Sequence, residues 1–220
     1  MDNNSKTDTT NNAEKDKKSK KVKNREPEKR FRDMTPAEKK KDILLFLRDA
    51  VIMGAVFAVL FIFVFMLARI PSGSMKNTLL IEDRVFANRL AYKFGSEPER
   101  GDIIIFNFYE DEEEEYLIKR LIGLPGETVT IRQGKIYIND STEPLTEDYI
   151  ERGWKYSLGG SNDPDEYVYK VPEGHYFFLG DNRDGSGDAR AWDNPYISRD
   201  DLVAKALFIF WPFSRWTGLT

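Results

Sequence analysis

Chemistry in this 220-residue chain has to come from few residue types. There is no cysteine and one histidine, His175. Disulfides, thiolate chemistry and cysteine-bound zinc are therefore excluded, and the usual imidazole base has a single source. A serine hydroxyl needs a partner base to attack at neutral pH, and a lysine amine is the known alternative to imidazole. Two stretches supply such a pair: Ser74 lies in Ile70-Pro71-Ser72-Gly73-Ser74-Met75, and Lys119 lies in Leu117-Ile118-Lys119-Arg120-Leu121-Ile122. In a strand Lys119 shares a face with Leu117 and Leu121, so its amine sits among apolar groups, where desolvation disfavours the ammonium and lowers its pKa. Ser72 and Gly73 offer a donor hydroxyl and a compliant backbone for an oxyanion site. Each piece alone has a plainer meaning: Ser-Gly-Ser after proline makes a turn, and a lysine can snorkel from a strand edge.

Gly180–Arg190 is the other chemistry-bearing stretch, dense in turn formers and charge. As a calcium loop counted from Asp184 it fails, because Ala189 stands where glycine is needed and Pro195 where glutamate is needed; counted from Asp181 it puts Arg183 among the ligands. A structural loop closed by an Asp188–Arg190 pair is the plainer reading. Glu110–Glu115 reads as a solvated hairpin tip rather than a metal site, and His175, with no second histidine or cysteine near it, reads as structural. No metal and no cofactor are expected.

The elements that must position Ser74 and Lys119 follow from composition. Residues 1–49 carry a charge of +5 and the remainder −9. Residues 1–42 have almost nothing apolar to bury and read as a disordered tail. Ala50–Ala68 is uncharged, apolar on every face and about 28 Å long as a helix, enough for a bilayer core; Ile43–Leu47 continues it, giving one uncleaved anchor over 43–69. Arg69 and Pro71 end that helix. Basic residues before the span and an acidic domain after it place the N-terminus in the cytoplasm and residues 70–220 outside the plasma membrane. An acidic folded part also argues against a nucleic-acid partner.

Beyond the span the pattern is short strands: Arg84–Asn88, Asp102–Tyr109, Tyr116–Leu124, Thr128–Arg132, Lys135–Asn139, Tyr167–Val171, His175–Leu179 and Val203–Trp211. Gln133-Gly134 forms a hairpin turn, and one short helix is expected near Leu90–Phe94. The fold class is thus mostly β: one transmembrane helix, then an all-β exported domain of antiparallel sheets with a small non-catalytic insert within residues 133–170. The aromatic end, Phe208–Phe213 with Trp216, suits core packing and in part a surface resting on lipid headgroups.

Taken together the boxes resemble signal peptidase I, the membrane-bound Ser/Lys leader peptidases, in the compact Gram-positive-like form. Pro71-Ser72-Gly73-Ser74-Met75 with Thr78-Leu79 looks like the nucleophile box, Arg100-Gly101-Asp102-Ile103 with Phe106 like the next strand box, Lys119-Arg120 with Gly123-Leu124-Pro125-Gly126 like the lysine box, and Gly180-Asp181-Asn182-Arg183-Asp184 with Ser186, Asp188 and Arg190 like the last. The resemblance implies Ser74 as nucleophile and Lys119 as general base of a serine endopeptidase that cuts signal peptides from secretory preproteins after small residues at −3 and −1. Ser72's hydroxyl and Ser74's N–H would form the oxyanion hole, Ser186 would orient the lysine amine, and the Asp188–Arg190 pair would hold the loop. Ile70, Met75, Leu79 and Ile118 would wall the substrate pockets. Three residues depart from the family pattern: Asn77 for a usual proline, Ala189 for a common serine and Asp193 for a frequent glycine. None removes a proton-transfer group; they bear on pocket detail and rate.

Rival readings fit less well. A self-cleaving Ser/Lys repressor would need a DNA-binding helical module, and an acyltransferase of the penicillin-binding type needs Ser-x-x-Lys, whereas Lys76 is two residues after Ser74. The non-enzymatic alternative is a catalytically inert, membrane-tethered β interaction module. The expected partners are preproteins and the lipid bilayer, and a monomer is the default.

Overall fold

A computed structural model describes residues 34–110, 113–150, 154 and 166–219. The expected tail over residues 1–33, the middle of the acidic run at 111–112, and residues 151–153 and 155–165 of the insert lie outside the described residues.

Helix α1 runs Pro36–Val64. Its start is set by local chemistry: Glu38 N–H donates to Thr35 Oγ1 (3.3 Å) while the Glu38 carboxylate accepts from Thr35 N–H (2.8 Å), a reciprocal capping box with Pro36 at the first helical position. Residues 36–42, assigned above to the tail, are therefore helical. The far end departs further from expectation. α1 stops at Val64, and Phe65–Arg69 is strand β1, not the last turns of the anchor. β1 pairs antiparallel with β2 (Arg84–Asn88), Phe65 opposite Asn88, and the rings of Phe65 and Phe86 lie 4.7 Å apart. A run apolar on every face has no period by which a helix can be told from a two-faced strand, so the available partner strand decides. The uncharged helical stretch is then Ala50–Val64, about 22 Å, short of a ~30 Å hydrocarbon core. Starting from Ile43 the helix reaches about 33 Å and takes in Arg48 and Asp49, whose charges pair at 2.8 Å. α1 has the length and composition of a membrane span, and none of its residues is buried within the protein.

The rest of the described chain is antiparallel β structure. The larger sheet has the order β1-β2-β10-β3-β4-β8-β9, with β11 on β10; its further strands are β3 (Ile103–Glu110), β4 (Glu113–Gly123), β8 (His175–Leu179), β9 (Tyr196–Ser198), β10 (Leu202–Trp211) and β11 (Thr217–Gly218). The smaller sheet, β6-β5-β7, contains β5 (Thr128–Arg132), β6 (Lys135–Ile138) and β7 (Glu166–Lys170). The turn between β5 and β6 is the expected Gln133-Gly134, both at positive φ (51° and 68°) as a two-residue hairpin of matching twist requires.

The acidic run lies at the exposed end of the β3–β4 hairpin as expected, with Glu113–Glu115 of β4 pairing with Phe108–Glu110. Two local expectations change. Leu90–Phe94 is a turn closed by Lys93 N–H on the Leu90 carbonyl (3.2 Å), not a helix. β9, too short to show a period, was not expected.

Candidate active site

The site forms where the segment after β1 meets β4 and the loop after β8. Ile70 caps β1, its N–H donating to the Asp83 carbonyl and its own carbonyl accepting from Glu82 (both 2.9 Å). One tight turn follows, with Leu79 N–H reaching the Met75 carbonyl at 2.7 Å. That turn buries Ile70, Met75 and Leu79 in one cluster with Val85, Ile103 and Ile209, and Ile118 of β4 packs on its edge. All four expected pocket residues thus come together.

β4 delivers the amine. Lys119, opposite Ile104 of β3, is only 3% exposed, and its Nζ lies 2.8 Å from Ser74 Oγ. Burial lowers the amine's pKa from 10.5 to about 8, with Asp188 and Glu115 pulling it back upward. The neutral amine can accept the serine proton; the ammonium can only donate. Ser72 Oγ stands 3.4 Å from Ser74 Oγ.

The loop after β8 fixes the backbone of Ser74. Asn182 N–H donates to the Ser74 carbonyl (3.0 Å), its Nδ2 donates to the Gly73 carbonyl (2.9 Å), and Asn77 Nδ2 donates to the Asp181 carbonyl (3.1 Å). Asp188 and Arg190 form the expected pair, Nε–Oδ1 at 2.7 Å and Nη2–Oδ2 at 2.8 Å, and Asp188 Oδ2 also accepts from Gly180 N–H at 2.9 Å. Ser186 is not brought into hydrogen-bond contact with Lys119: its buried Oγ has no partner among the described residues. It lies against Gly180, across from the Ser74 carbonyl.

Several positioning residues escaped the sequence reading. Arg120 points to the opposite face from Lys119 and is equally buried; Asp181 receives its Nε and Nη2 at 2.9 and 2.8 Å, and the Gly101 carbonyl receives its Nη1 at 2.8 Å. Two adjacent cations in an apolar strand need a partner on each side, a signal the sequence did contain. From the insert, Glu147 takes Arg183 in a two-point ion pair, and the Tyr149 ring covers Arg120 at 3.8 Å. No local pattern encodes these long-range partners. His175 is remote from this network in its contacts, its Nδ1 being 3.0 Å from the Glu173 carbonyl. Among the described residues no cluster of His, Asp and Glu converges as metal ligands would.

Gly180 is where the packing is tightest. A Cβ there would overlap both Ser186 Oγ and the Ser74 carbonyl oxygen. Gly180→Ala is expected to lower kcat by about 10²-fold through displacement of the Ser74 backbone, with a stability loss of about 1–3 kcal/mol from overpacking. Turnover rate and thermal melting measured side by side check both.

A family model described as signal peptidase, peptidase S26, matches residues 43–211. The signal peptidase I of Leptolyngbya laminosa is 39% identical over 152 residues, covering 66% of this chain and 68% of that protein. That of Rickettsia prowazekii (strain Madrid E) is 37% identical over 186 residues, covering 64% and 70%. A crystal structure of a signal peptidase I from Enterococcus faecalis V583 matches with 34% identity and a TM-score of 0.39, over 50% of this chain and 97% of that one.

Proposed function

The chain belongs to the signal peptidases of family S26, membrane-bound hydrolases that remove signal peptides from preproteins, and we propose that it does so with Ser74 as nucleophile and Lys119 as general base. The observation that carries this reading is the 2.8 Å approach of a buried, weakly basic Lys119 amine to Ser74 Oγ. Neutral Nζ takes the Ser74 proton as Oγ adds to the carbonyl at −1. The tetrahedral oxyanion lies between Ser72 Oγ and Ser74 N–H. Collapse passes the proton from Nζ to the departing amine and leaves an acyl-enzyme, which water hydrolyses with Lys119 again as base. Ser186 serves as orienter of the amine by rotating its free hydroxyl toward Nζ, and the Asp188–Arg190 pair holds the loop that carries it.

Ile70, Met75, Leu79 and Ile118 wall pockets that accept small side chains at −1 and −3 and reject larger ones by clash with a filled core. The substrate lies extended along the strand edge. α1 crosses the plasma membrane once, with the basic N-terminal region in the cytoplasm and the β domain outside. Trp211, Phe213 and Trp216, all exposed, suit the headgroup region beside it.

The test is the pH dependence of model-preprotein cleavage by the detergent-solubilised full chain. A base must be neutral to act, so activity should rise with pH through a midpoint near 8, well below an ordinary lysine. A flat profile from pH 6 to pH 10 would remove Lys119 as base. An inert tethered module would bind the preprotein and leave it intact at every pH.

A further inference from the structure

A basic cavity sits beside the point where α1 gives way to the sheet. Val64 is the last helical residue, and its carbonyl accepts from Arg89 N–H at 2.8 Å. Because β1 and β2 are antiparallel, with Phe65 opposite Asn88, β2 brings the chain back to the level it left. The turn that follows, residues 89–94, is thereby held at the end of the helix that enters the bilayer. Arg89, Tyr92 and Lys93 of this turn, with Arg199, Asp200 and Leu202, line a cavity of about 170 Å³.

The charges of that lining are unequal: three cations against one carboxylate. Arg199 is already engaged, paired with Glu97 and donating to the Tyr176 hydroxyl at 3.3 Å. The side chains of Arg89 and Lys93 are exposed, and neither makes an ion pair or hydrogen bond among the described residues. The turn runs on into Phe94, 82% exposed, an apolar group next to two unpaired cations. Basic and aromatic residues side by side are the composition of a segment lying at the headgroup–acyl boundary.

We propose that this cavity binds the phosphate of an anionic lipid headgroup, with Arg89 and Lys93 as its ligands and Phe94 entering the acyl boundary beside it. The guanidinium fork of Arg89 suits two phosphate oxygens, and Lys93 adds a mobile point charge. Such a contact would fix which edge of the β domain faces the bilayer. It rests on the reading of α1 as a membrane span and is independent of which side the N-terminus occupies. An anionic phosphate in solution has the same chemistry, and the test separates the two sources.

The full chain, reconstituted into phosphatidylcholine bilayers carrying a trace of spin-labelled phosphatidylglycerol or spin-labelled phosphatidylcholine, reports the fraction of each lipid immobilised at the protein. Each basic residue near an anionic surface contributes about fivefold in binding. Wild type should therefore prefer phosphatidylglycerol severalfold. Arg89→Gln with Lys93→Gln should cut the preference severalfold, the basic N-terminal region supplying what remains, while Arg132→Gln with Lys135→Gln on the smaller sheet should leave it whole. Both pairs are on the surface, so the fold is not at risk. A protein that enters bilayers but shows no preference, or a double variant that keeps all of it, overturns the proposal. Inorganic phosphate that lowers the preference where sodium chloride of equal ionic strength does not supports it, by competing for the same two cations, whereas inorganic phosphate that binds a wild type showing no lipid preference marks a site for the free anion and overturns it. A chain that does not float with any bilayer overturns the span and the proposal together.

Discussion

Ser74→Ala should reduce preprotein cleavage by about 10⁶-fold, the loss typical of a deleted serine nucleophile, with melting close to wild type. The substitution removes one hydroxyl from a turn whose Ser74 and Gly73 carbonyls stay bonded to Asn182. Lys119→Met should cost at least about 10²–10⁴-fold, the contribution of a positioned general base. The double variant should be no worse than Ser74→Ala alone, because the two act in one proton transfer.

Stability should move the other way at Lys119. Its folded-state pKa, about 8, lies below the ordinary 10.5. Between those values the unfolded chain binds the extra proton, so wild-type stability rises with pH across that window, and the burial cost is fully present below it. Methionine has no charge to desolvate, and at pH 7 the inactive variant should melt higher than wild type. Equal activity in Lys119→Met, or a lower melting point, would contradict the assignment of a buried amine held for chemistry at the expense of stability.

The second large effect is at Asp188. Its two oxygens take Nε and Nη2 of Arg190 and the Gly180 N–H, and neither partner side chain has more than slight access to water. Asp188→Asn removes the charge of one partner from a buried ion pair, a loss of about 3–5 kcal/mol, a large share of the ~5–15 kcal/mol that holds a typical domain folded. The same carboxylate raises the Lys119 pKa. Its removal should therefore shift the rising limb of the pH–activity profile to lower pH in whatever fraction remains folded. A purely structural role for Asp188 predicts the stability loss with the limb unmoved.

The parts of this protein legible in its sequence are those encoded by local chemistry. Strands Arg84–Asn88, Thr128–Arg132 and His175–Leu179 occur as expected because short β-branched and aromatic runs bounded by turn formers have few other ways to bury themselves. The Gln133-Gly134 hairpin depends on two residues that tolerate positive φ. Ser74 and Lys119 stood out because a lysine flanked by Leu and Ile is costly unless it has a use, and the Asp188–Arg190 pair lies within a single loop.

Contacts between distant segments decided the rest. Phe65–Arg69 looks like helix until Arg84–Asn88 is beside it, since an all-apolar run has no preferred face and takes the hydrogen bonds its neighbour offers. The partners of Arg120 and Arg183, Asp181 and Glu147, are separated from them by 61 and 36 residues, and no periodicity encodes such pairings. The close fit of Gly180 against Ser74 and Ser186 likewise comes from how the loop packs. The residue types determined which groups could do the chemistry; the tertiary structure set their distances, because desolvation and counter-charges exist only once the chain has closed around them.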